Sequence, residues 1–378
     1  MTAASAEFVV IGGGITGLSA AWALTRRGRE VVVLDQAPIG HGRGGSHGAC
    51  RIFRLGYEDP AYVTLAQQAR PFWSELEYAC GERLLQSTPQ LTFGPQMPRV
   101  RAAMRAAGAA CDVISGAEAA TRFPGIRVAG DVLLEPASAV IAADRALAGL
   151  VGLAGVIRTG VRVTALADDG RRVRLSTSAG DIEAGRVIVT AGPWTSGLLV
   201  TAGITVPGSA TLEQVAYLAP ANGGQARAMP APAMLSMPIF VHCGGEIPYG
   251  LPVPDTDLYK VGIHHGGPPV DPDHQDDAAD PGLLRRIEQM SRSFLPGLGP
   301  DPVAVERCIY DNSPDTDLIV DRIGNMVIGS GTSGHGFKFG PLLGEWLAML
   351  ATSPAGADGR ASECGSAGIP DQFALSRF

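Results

Sequence analysis

Residues 8–35 contain, in order, patterns for a strand, a glycine-rich turn, a helix and a second strand. The apolar run at 8–11 precedes GGGITG at 12–17, and the helical pattern LSAAWALTRRG follows directly. The second apolar run, at 31–34, ends at Asp35. This order is the dinucleotide-binding fingerprint in the context that it requires. It predicts a Rossmann-like α/β domain at this end of the chain.

The three spaced glycines of this turn have separate expected roles. Gly12 makes the tight turn, Gly14 lets the backbone approach a pyrophosphate, and Gly17 lets the helix and the strand pack closely. The N-terminus of the helix then faces the phosphates, and Asp35 is placed to bind ribose hydroxyls. The fingerprint alone does not distinguish FAD from NAD.

A second segment, RVIVTAGPW at 186–194, indicates a buried strand that ends in a turn of small residues. Ala191 and Gly192 would let the backbone run close to a bound nucleotide, and Trp194 follows them. Because this strand lies far from the first fingerprint, we expect the nucleotide domain to be assembled from separated segments. The position of the fingerprint near the N-terminus favours FAD.

Composition excludes several other classes of protein. The chain has 378 residues, 46% of them hydrophobic and 18% charged, which is enough for two domains with substantial cores. The net charge of −7 and the dispersed arginines form no basic stripe, so we expect no nucleic-acid partner. We also expect neither a signal peptide nor a membrane span. Six cysteines without a CxxC pair indicate reduced thiols in a cytoplasmic protein, with no structural metal.

Only two of the thirty basic residues are lysines, Lys260 and Lys338. Arginine stays charged and planar, whereas lysine is a compact point charge whose pKa shifts on burial. In a chain so rich in arginine, the remaining lysines are candidates for positions where a guanidinium fails. On the count alone, chance in a biased genome explains them equally well.

Five segments occur in an order that makes the chain recognisable. They are residues 45–77, YKVGIHH at 259–265, RCIYDNSPDTDLIVD at 307–321, GTSGHGFKFGPLLGE at 331–345 and the last nine residues. Together they resemble the FAD-dependent amine oxidases of the D-amino-acid-oxidase superfamily, most closely the branch of monomeric sarcosine oxidase and N-methyltryptophan oxidase. The resemblance spans nearly the whole chain.

The resemblance implies a role for each residue near the flavin. Cys308 falls where these enzymes bind FAD covalently, through a thioether to the 8α position of the ring. Lys260 falls where the family holds a water beneath flavin N5 and activates dioxygen. The remaining cofactor contacts that it implies are Ser46, His47, Arg51, Gly334, Gly336 and Lys338.

The same resemblance assigns Arg54 and Lys338 to the substrate carboxylate, which charge-assisted hydrogen bonds would hold at both oxygens. Arg51 would lie beside the flavin ring. Because residues three apart share a side only in a helix or turn, we expect Arg51 and Arg54 on an irregular segment. The catalytic set is then Lys260, Arg51, His264 and Tyr249, and the further pocket walls are Phe240, Tyr57 and Tyr310.

Departures from the family pattern leave the substrate open. Ala49 and Cys50 replace the usual Asp and Thr before the first arginine, Phe240 stands where sarcosine oxidase has Met, and the loop at 243–248 differs. The pair His264 and His265 predicts no metal site, because neighbours on a strand point to opposite faces.

We predict two interleaved domains. An FAD-binding domain is formed by residues 1–85, 145–213 and 306–378, and an α+β substrate domain with a mostly antiparallel sheet by 86–144 and 214–305. Exposed loops are expected at 219–234, 268–282 and 353–368, from their proline, glycine, alanine and acidic content.

The predicted activity is oxidation of a small secondary α-amino acid at its C–N bond to an imine, with O2 reduced to H2O2, by a monomer. Two alternatives remain. One is a biosynthetic oxidase or desaturase of a cyclic imino acid, with which the bulky Phe240 is compatible. The other is an FAD protein that passes electrons to a partner protein, although Lys260 is of the oxygen-activating type.

Overall fold

A computed structural model of the protein describes residues 4–221, 237–354 and 368–378. Most of the predicted loop at 219–234, and all but the ends of the one at 353–368, lie outside these ranges. The described residues form nineteen strands and eight α-helices, joined by loops and a few short 3-10 turns.

In chain order the strands are β1 (Ala4–Ile11), β2 (Val31–Leu34), β3 (Cys50–Phe53), β4 (Leu85–Ser87), β5 (Gln90–Phe93), β6 (Asp112–Ser115), β7 (Asp131–Glu135), β8 (Ala139–Ala142), β9 (Val156–Arg158), β10 (Val163–Asp168), β11 (Val173–Thr177), β12 (Ile182–Val189), β13 (Ser209–Leu218), β14 (Ile239–His242), β15 (Ile247–Pro252), β16 (Tyr259–His264), β17 (Ala304–Asn312), β18 (Ile319–Ile323) and β19 (Met326–Ser330). The helices are α1 (Ile15–Arg26), α2 (Pro60–Cys80), α3 (Met97–Ala106), α4 (Gly116–Arg122), α5 (Ala143–Leu153), α6 (Thr195–Val200), α7 (Pro281–Phe294) and α8 (Gly340–Thr352).

The first sheet is built around the predicted fingerprint. Its strands run in the order β10-β11-β12-β1-β2-β9, with β19 beside β12 and β18 beside β19. β1 pairs in parallel with both β2 and β12, as a dinucleotide-binding unit requires. These strands are apolar on both faces because each face is covered: Val10 and Val33 pack into one cluster, and Val9 and Leu34 into another.

The second sheet, in the order β17-β13-β16-β15-β14-β5-β7-β6, is antiparallel except where β14 meets β5. One face packs into an aromatic core that includes Phe93, Phe240 and Tyr259, with Phe294 of α7 against it. The opposite face borders a cavity shared with the first sheet. The predicted fold class, α/β with a mostly antiparallel second sheet, is confirmed.

Helix α2 supports one end of this cavity. Its start is fixed by Asp59, whose carboxylate accepts from the Ala61 N–H at 2.8 Å, and by Pro60 in the first turn. Gly81, in the left-handed region, ends it. In between, the Trp73 indole donates to the Lys338 carbonyl at 2.6 Å, so the helix holds the segment that carries that lysine.

The predicted domain boundaries at 213 and 306 cut through strands. β13 and β17 pair along their whole length within the second sheet. Likewise β8, placed by the prediction in the substrate domain, pairs with β3 and β4 in a separate three-stranded sheet. Side-chain patterns mark where a strand begins, but not which sheet it joins.

None of the helices formed by the described residues combines the length and the hydropathy needed to cross a bilayer.

Candidate active site

A cavity of about 680 Å³ lies between the two sheets. It brings together residues that are far apart in the sequence, from the glycine turn, the turn after β12, β16, β17 and the segment after β19. Of the predicted cofactor residues, those that line it are Gly12, Gly14, Asp35, Ser46, His47, Arg51, Ala191, Gly192, Trp194, Cys308, Gly334, Gly336 and Lys338. Gly17 does not line the cavity, which agrees with its expected role in packing.

The glycine turn has the geometry that a pyrophosphate needs. Gly12 has φ +100°, and a Cβ there would lie 2.3 Å from the Thr190 carbonyl oxygen. A Cβ on Gly17 would lie 1.9 Å from the Gly12 carbonyl oxygen, so helix and turn pack as closely as glycine allows. Gly14, the residue before helix α1, has no side chain to cap the helix, and residues 14–16 line this end of the cavity.

Two polar side chains complete this end of the cavity. The Ser46 hydroxyl accepts from the Ile15 N–H at 3.1 Å, and Asp35 accepts from the Gly13 N–H at 2.7 Å. Burial raises the pKa of Asp35, but hydrogen bonds from the His41 ring and the backbone outweigh it, so the pKa lies below its usual value. A helix N-terminus beside an ionised carboxylate fits the pyrophosphate and ribose of a dinucleotide.

The other wall is one face of the second sheet. Across the ladders, Tyr217 lies opposite Lys260, and Val241 opposite Tyr249. Positions that alternate along each strand share a face. The side chains presented to the cavity include Val241, Tyr249, Lys260, His264, Cys308 and Tyr310.

Lys260 is buried in this wall, with only 4% of its surface exposed. Its ammonium donates to the Cys50 carbonyl at 3.3 Å and lies 5.8 Å from the centre of the Tyr217 ring. Burial, together with the positive charge of Arg51, lowers its pKa below the usual value.

Lys338 is equally buried, at 5% exposure, in the segment after β19. Its ammonium donates to the Tyr57 hydroxyl at 2.8 Å and to the His335 carbonyl at 2.9 Å. Arg54 also lines the cavity; its guanidinium stacks 4.3 Å from the Tyr57 ring centre and donates to the Gly56 carbonyl. Burial and the Arg54 charge lower the pKa of Lys338 well below its usual value.

The four cations of the cavity wall form no direct ion pair. Within residues 4–221, 237–354 and 368–378, neither arginine nor either lysine of the cavity wall forms an ion pair with a carboxylate. Buried charges are normally paired, so a positive site of this kind is suited to an anionic ligand. The four residues are Arg51, Arg54, Lys260 and Lys338.

Cys308 lies on β17 and is a free, half-buried thiol at the cavity wall. Burial raises the pKa of the thiol, while the Arg51 and Lys260 charges act in the opposite direction. Tyr310, two residues on, shares its face and lies 3.2 Å from His264 Nδ1 through its hydroxyl. Burial and the neighbouring His265 hold the pKa of His264 well below its usual value, so the ring is neutral near pH 7.

Two predictions about the pocket walls are wrong. Phe240 faces the aromatic core on the far side of the sheet, and its neighbour Val241 lines the cavity instead. Tyr57 lies behind the cavity, where it holds Lys338 and Arg54 rather than forming a wall.

Arg51 and Arg54 also do not lie together on an irregular segment, as was predicted. Arg51 lies within β3, and Arg54 follows the end of that strand, where the chain turns and brings both side chains to the cavity.

The two adjacent histidines also do not point to opposite faces of the strand, as was predicted. β16 ends at His264, and His265 adopts a left-handed φ of +54°, so the two rings lie 4.1 Å apart instead of on opposite faces. In the described parts of the chain, no group of three potential ligands for a metal ion occurs.

Several residues of the site escaped sequence reasoning. Glu306 stands two positions before Cys308 on the same face of β17, Asp311 lines the cavity, and Glu135 is buried behind Arg54. The predicted exposed loop at 268–282 also reaches the cavity: Asp273 accepts from the Trp194 indole at 2.9 Å. Alternation along β17 is the signal that could have identified Glu306.

Comparisons with known proteins agree with this geometry. The model of the FAD dependent oxidoreductase family, DAO, matches residues 7–350. Peroxisomal sarcosine oxidase of Homo sapiens is 33% identical over 91% of this chain and 92% of its own length. N-methyl-L-tryptophan oxidase of Yersinia pestis is 30% identical over 91% of this chain and 94% of its own.

Among solved structures, NikD, described as an unusual amino acid oxidase essential for nikkomycin biosynthesis, superposes with a TM-score of 0.82. It is 26% identical, and the match covers 94% of this chain and 95% of that one. The sequence match, the fold and the glycine turn at the start of α1 all agree. The chain therefore belongs to the family of FAD dependent oxidoreductases.

Proposed function

We propose that the protein oxidises a small secondary α-amino acid at its C–N bond to an imine, and that it reduces O2 to H2O2. The observation that carries this proposal is the layout of the cavity. A dinucleotide site lies at one end, and two cations that form no direct ion pair, the half-buried Arg54 and the buried Lys338, stand at another. The names of the relatives, sarcosine oxidase and N-methyl-L-tryptophan oxidase, support a substrate of this class.

FAD fits the residues present. The glycine turn and the N-terminus of α1 would hold the pyrophosphate, Asp35 the ribose, and Cys308 would form a thioether to the ring. When bound, the flavin supplies the two-electron chemistry: it accepts a hydride equivalent from the substrate carbon and gives two electrons to oxygen.

The substrate carboxylate would lie between Arg54 and Lys338. Charge-assisted hydrogen bonds from a guanidinium and an ammonium hold both carboxylate oxygens. Their common contact, Tyr57, fixes the separation of the two cations. A simple amine gives nothing for these charges to bind, which favours an amino acid.

The amine is expected to react in its neutral form. Burial holds His264 neutral. It therefore forms a polar wall that does not compete for the lone pair of the neutral amine, as a cation would. Tyr249 lies on the same wall. Water then hydrolyses the imine after release.

Lys260 is assigned to the oxygen reaction. Oxygen reduction begins with transfer of one electron, and a preorganised ammonium stabilises the negative charge that develops on oxygen. The protein places this charge away from Arg54 and Lys338, beside Cys50 and Arg51.

Substitution of Lys260 and substitution of Lys338 should therefore impair different half-reactions. Lys260→Met should slow reoxidation by about a hundred- to a thousandfold, or 2.7–4 kcal/mol, and leave reduction by substrate mildly affected. Lys260→Arg should also be defective, because the larger guanidinium does not occupy the same position. Lys338→Met should weaken binding of amino acids about ten- to a hundredfold, or 1.5–3 kcal/mol, with normal reoxidation.

Stopped-flow measurement of both half-reactions, with oxygen and substrate varied separately, tests this assignment. A normal reoxidation rate in Lys260→Arg would mean that the reaction does not require a lysine at this position, and that its retention is coincidental. An oxygen-electrode trace with the wild type addresses the electron-transfer alternative, which requires slow turnover with oxygen.

A substrate panel defines the amino acid. Turnover should be compared for sarcosine, proline, pipecolate and N-methyl aromatic amino acids, each beside the matched amine without a carboxylate. Since Phe240 faces away from the cavity, it no longer favours a cyclic substrate. If the amines bind the wild type as well as the amino acids do, the carboxylate assignment is wrong.

A further inference from the structure

Three charged groups converge around Gly48, in the loop before β3. Gly48 has φ +92°, and a Cβ placed on it would lie 3.1 Å from Glu306 Oε2, 3.4 Å from Arg51 Nη1 and 3.8 Å from Lys260 Nζ. No side chain at position 48 separates these groups. One carboxylate thus lies near two cations, the half-buried Arg51 and the buried Lys260.

Strand register explains why Glu306 faces this place. Glu306 lies opposite Val215 of the neighbouring strand β13, and Val215 lies opposite Gly262 of β16. Glu306 and Lys260 therefore share one face of the sheet, with β13 between them.

Tyr217 of β13 is hydrogen-bonded to the carboxylate and also lies near the ammonium. Its hydroxyl donates to Glu306 Oε2 at 2.6 Å, while its ring centre lies 5.8 Å from Lys260 Nζ. Tyr217 is itself buried, at 6% exposure, so the carboxylate is fixed by a side chain that cannot move away. The position of Glu306 is thus built into the sheet and is not that of a free surface group.

Lys260 needs such a partner. It is buried beside Arg51, and both burial and this like charge favour loss of its proton. The titratable and charged groups that face it from the surrounding elements are Cys50 and Arg51 of β3, His47 before β3, Glu213 and Tyr217 of β13, Tyr249 of β15, and Glu306 and Cys308 of β17.

Among these groups, Glu306 is the carboxylate that the geometry around Gly48 places beside Lys260. Burial raises the pKa of the Cys50 and Cys308 thiols and of the Tyr217 and Tyr249 hydroxyls, so they are neutral near pH 7. Glu213 is engaged elsewhere: its two oxygens accept from the Thr211 hydroxyl at 2.6 Å and the Gly267 N–H at 2.9 Å.

We propose that Glu306, fixed by Tyr217, is the positioning residue that keeps Lys260 in its ammonium form beside Arg51. The inference rests on the proposed role of Lys260 in the oxygen reaction. In this arrangement Glu306 acts on oxygen reactivity through Lys260, without touching substrate.

The scarcity of lysine allows a direct test on the holoenzyme. Protein grown on lysine labelled with ¹³C at Cε, with a purification tag free of lysine, gives two lysine signals, and Lys338→Met assigns them. The chemical shift of each signal against pH gives the midpoint of its titration. Glu306→Gln should lower the Lys260 midpoint by about one pH unit, because an opposite charge has been removed. The Lys338 midpoint should not move.

Two matched variants separate charge from structure. Glu306→Asp keeps the charge, so its Lys260 midpoint should lie close to that of the wild type. Tyr217→Phe frees the carboxylate and should lower the Lys260 midpoint by less than Glu306→Gln does. An unchanged Lys260 midpoint in Glu306→Gln would overturn the inference. So would an equal shift of both lysines, since that would report a general change in the fold.

A kinetic measurement then connects the charge to the reaction. Reoxidation should be fast where Lys260 is protonated and should fall as pH rises through its pKa. In Glu306→Gln this fall should occur at lower pH by the same amount as the midpoint shift. At a pH below both midpoints the two proteins should agree within about twofold.

Lys260→Met distinguishes the two proposals. If it reoxidises at the wild-type rate, the role of Lys260 is wrong, whatever the midpoints show. If it is slow but the profile of Glu306→Gln matches the wild type, the role of Glu306 is wrong and that of Lys260 stands.

Discussion

At the scale of single residues, four cations line one cavity, and neutral groups hold each of them. Arg51 donates to backbone carbonyls, including that of Gly45 at 3.0 Å. Lys260 likewise donates to a carbonyl, and Lys338 to a carbonyl and a hydroxyl. Dipoles of this kind orient a cation without cancelling its charge. The cavity therefore keeps a positive potential that a bound anion can use.

The thiol of Cys308 carries a prediction at this scale. In wild-type protein, acid precipitation should leave the yellow colour in the pellet, and peptide mapping should find FAD on the peptide that contains Cys308. In Cys308→Ser the colour should move to the supernatant, because the sulfur that forms the bond is absent.

Cys243→Ser is the matched control, since Cys243 is buried away from the cavity and donates to the Phe93 carbonyl. It should retain the covalent flavin. A yellow supernatant from fully matured wild-type protein would contradict the covalent bond and leave the fold unaffected.

At the scale of elements, the end of β7 holds the turn that follows β3. Glu135, fully buried, accepts from the Leu55 N–H at 2.5 Å and from the Gly56 N–H at 2.9 Å. This turn brings Arg54 to the cavity. A carboxylate on a rigid strand thus sets the position of a substrate-binding guanidinium on a loop.

Replacing Glu135 by Gln should damage both stability and substrate binding. The amide can accept at only one of its two terminal atoms, so one buried N–H loses its acceptor, at a cost of about 1–3 kcal/mol in free energy of unfolding. Denaturant unfolding measures this cost. The apparent affinity for amino-acid substrates should fall about tenfold, with little change in reoxidation.

Glu118→Gln serves as the control, because Glu118 lies on the surface of α4 and pairs with the exposed Arg122. Its effect should stay within about 0.5 kcal/mol. Weaker reoxidation and intact substrate affinity in Glu135→Gln would show that Glu135 does not act through Arg54.

The elements also show which parts of the site a sequence reveals. The glycine turn, Cys308 and the two lysines were identifiable because each lies in a short contiguous motif. The orientation of Phe240 was not, since it depends on the pairing of Val241 with Tyr249 from another strand. A one-residue difference in register exchanges the two faces of a strand.

Charged groups that act across strands were missed for the same reason. Glu135 and Glu306 are unremarkable in sequence, and only tertiary pairing brings them to Arg54 and Lys260. The ring position of His265 depends on a left-handed turn, which its residue type does not favour strongly. Local motifs therefore predicted the fold and the cofactor end, and the supporting shell required the structure.

At the scale of the whole molecule, we expect stability to depend on pH through His335, which lines the cavity. Burial lowers the pKa of His335 to about 3, from an ordinary value of 6.5. A depressed pKa means that the unfolded chain binds the proton more tightly. This contribution to stability is complete above pH 6.5 and is lost as pH falls towards 3.

The difference between wild type and His335→Asn should therefore shrink with acid. Between pH 6.5 and 5 the free energy of unfolding of the wild type should fall by up to about 2 kcal/mol more than that of the variant. The slope is about 1.36 kcal/mol per pH unit for each proton. Denaturant titrations of both proteins at several pH values give this difference. A constant difference would mean that His335 titrates alike in the folded and unfolded chain.

The interleaving of the two sheets also has a consequence for biosynthesis. Gly12 and Lys338 border the same cavity, although they stand near opposite ends of the sequence. When the first βαβ unit has been translated, the phosphate-binding turn exists, but the cavity walls from β16 and β17 have not yet been synthesised. The nascent chain therefore has no complete cofactor site until translation has passed Lys338. Insertion of the flavin into a complete site therefore follows the synthesis of all of these segments.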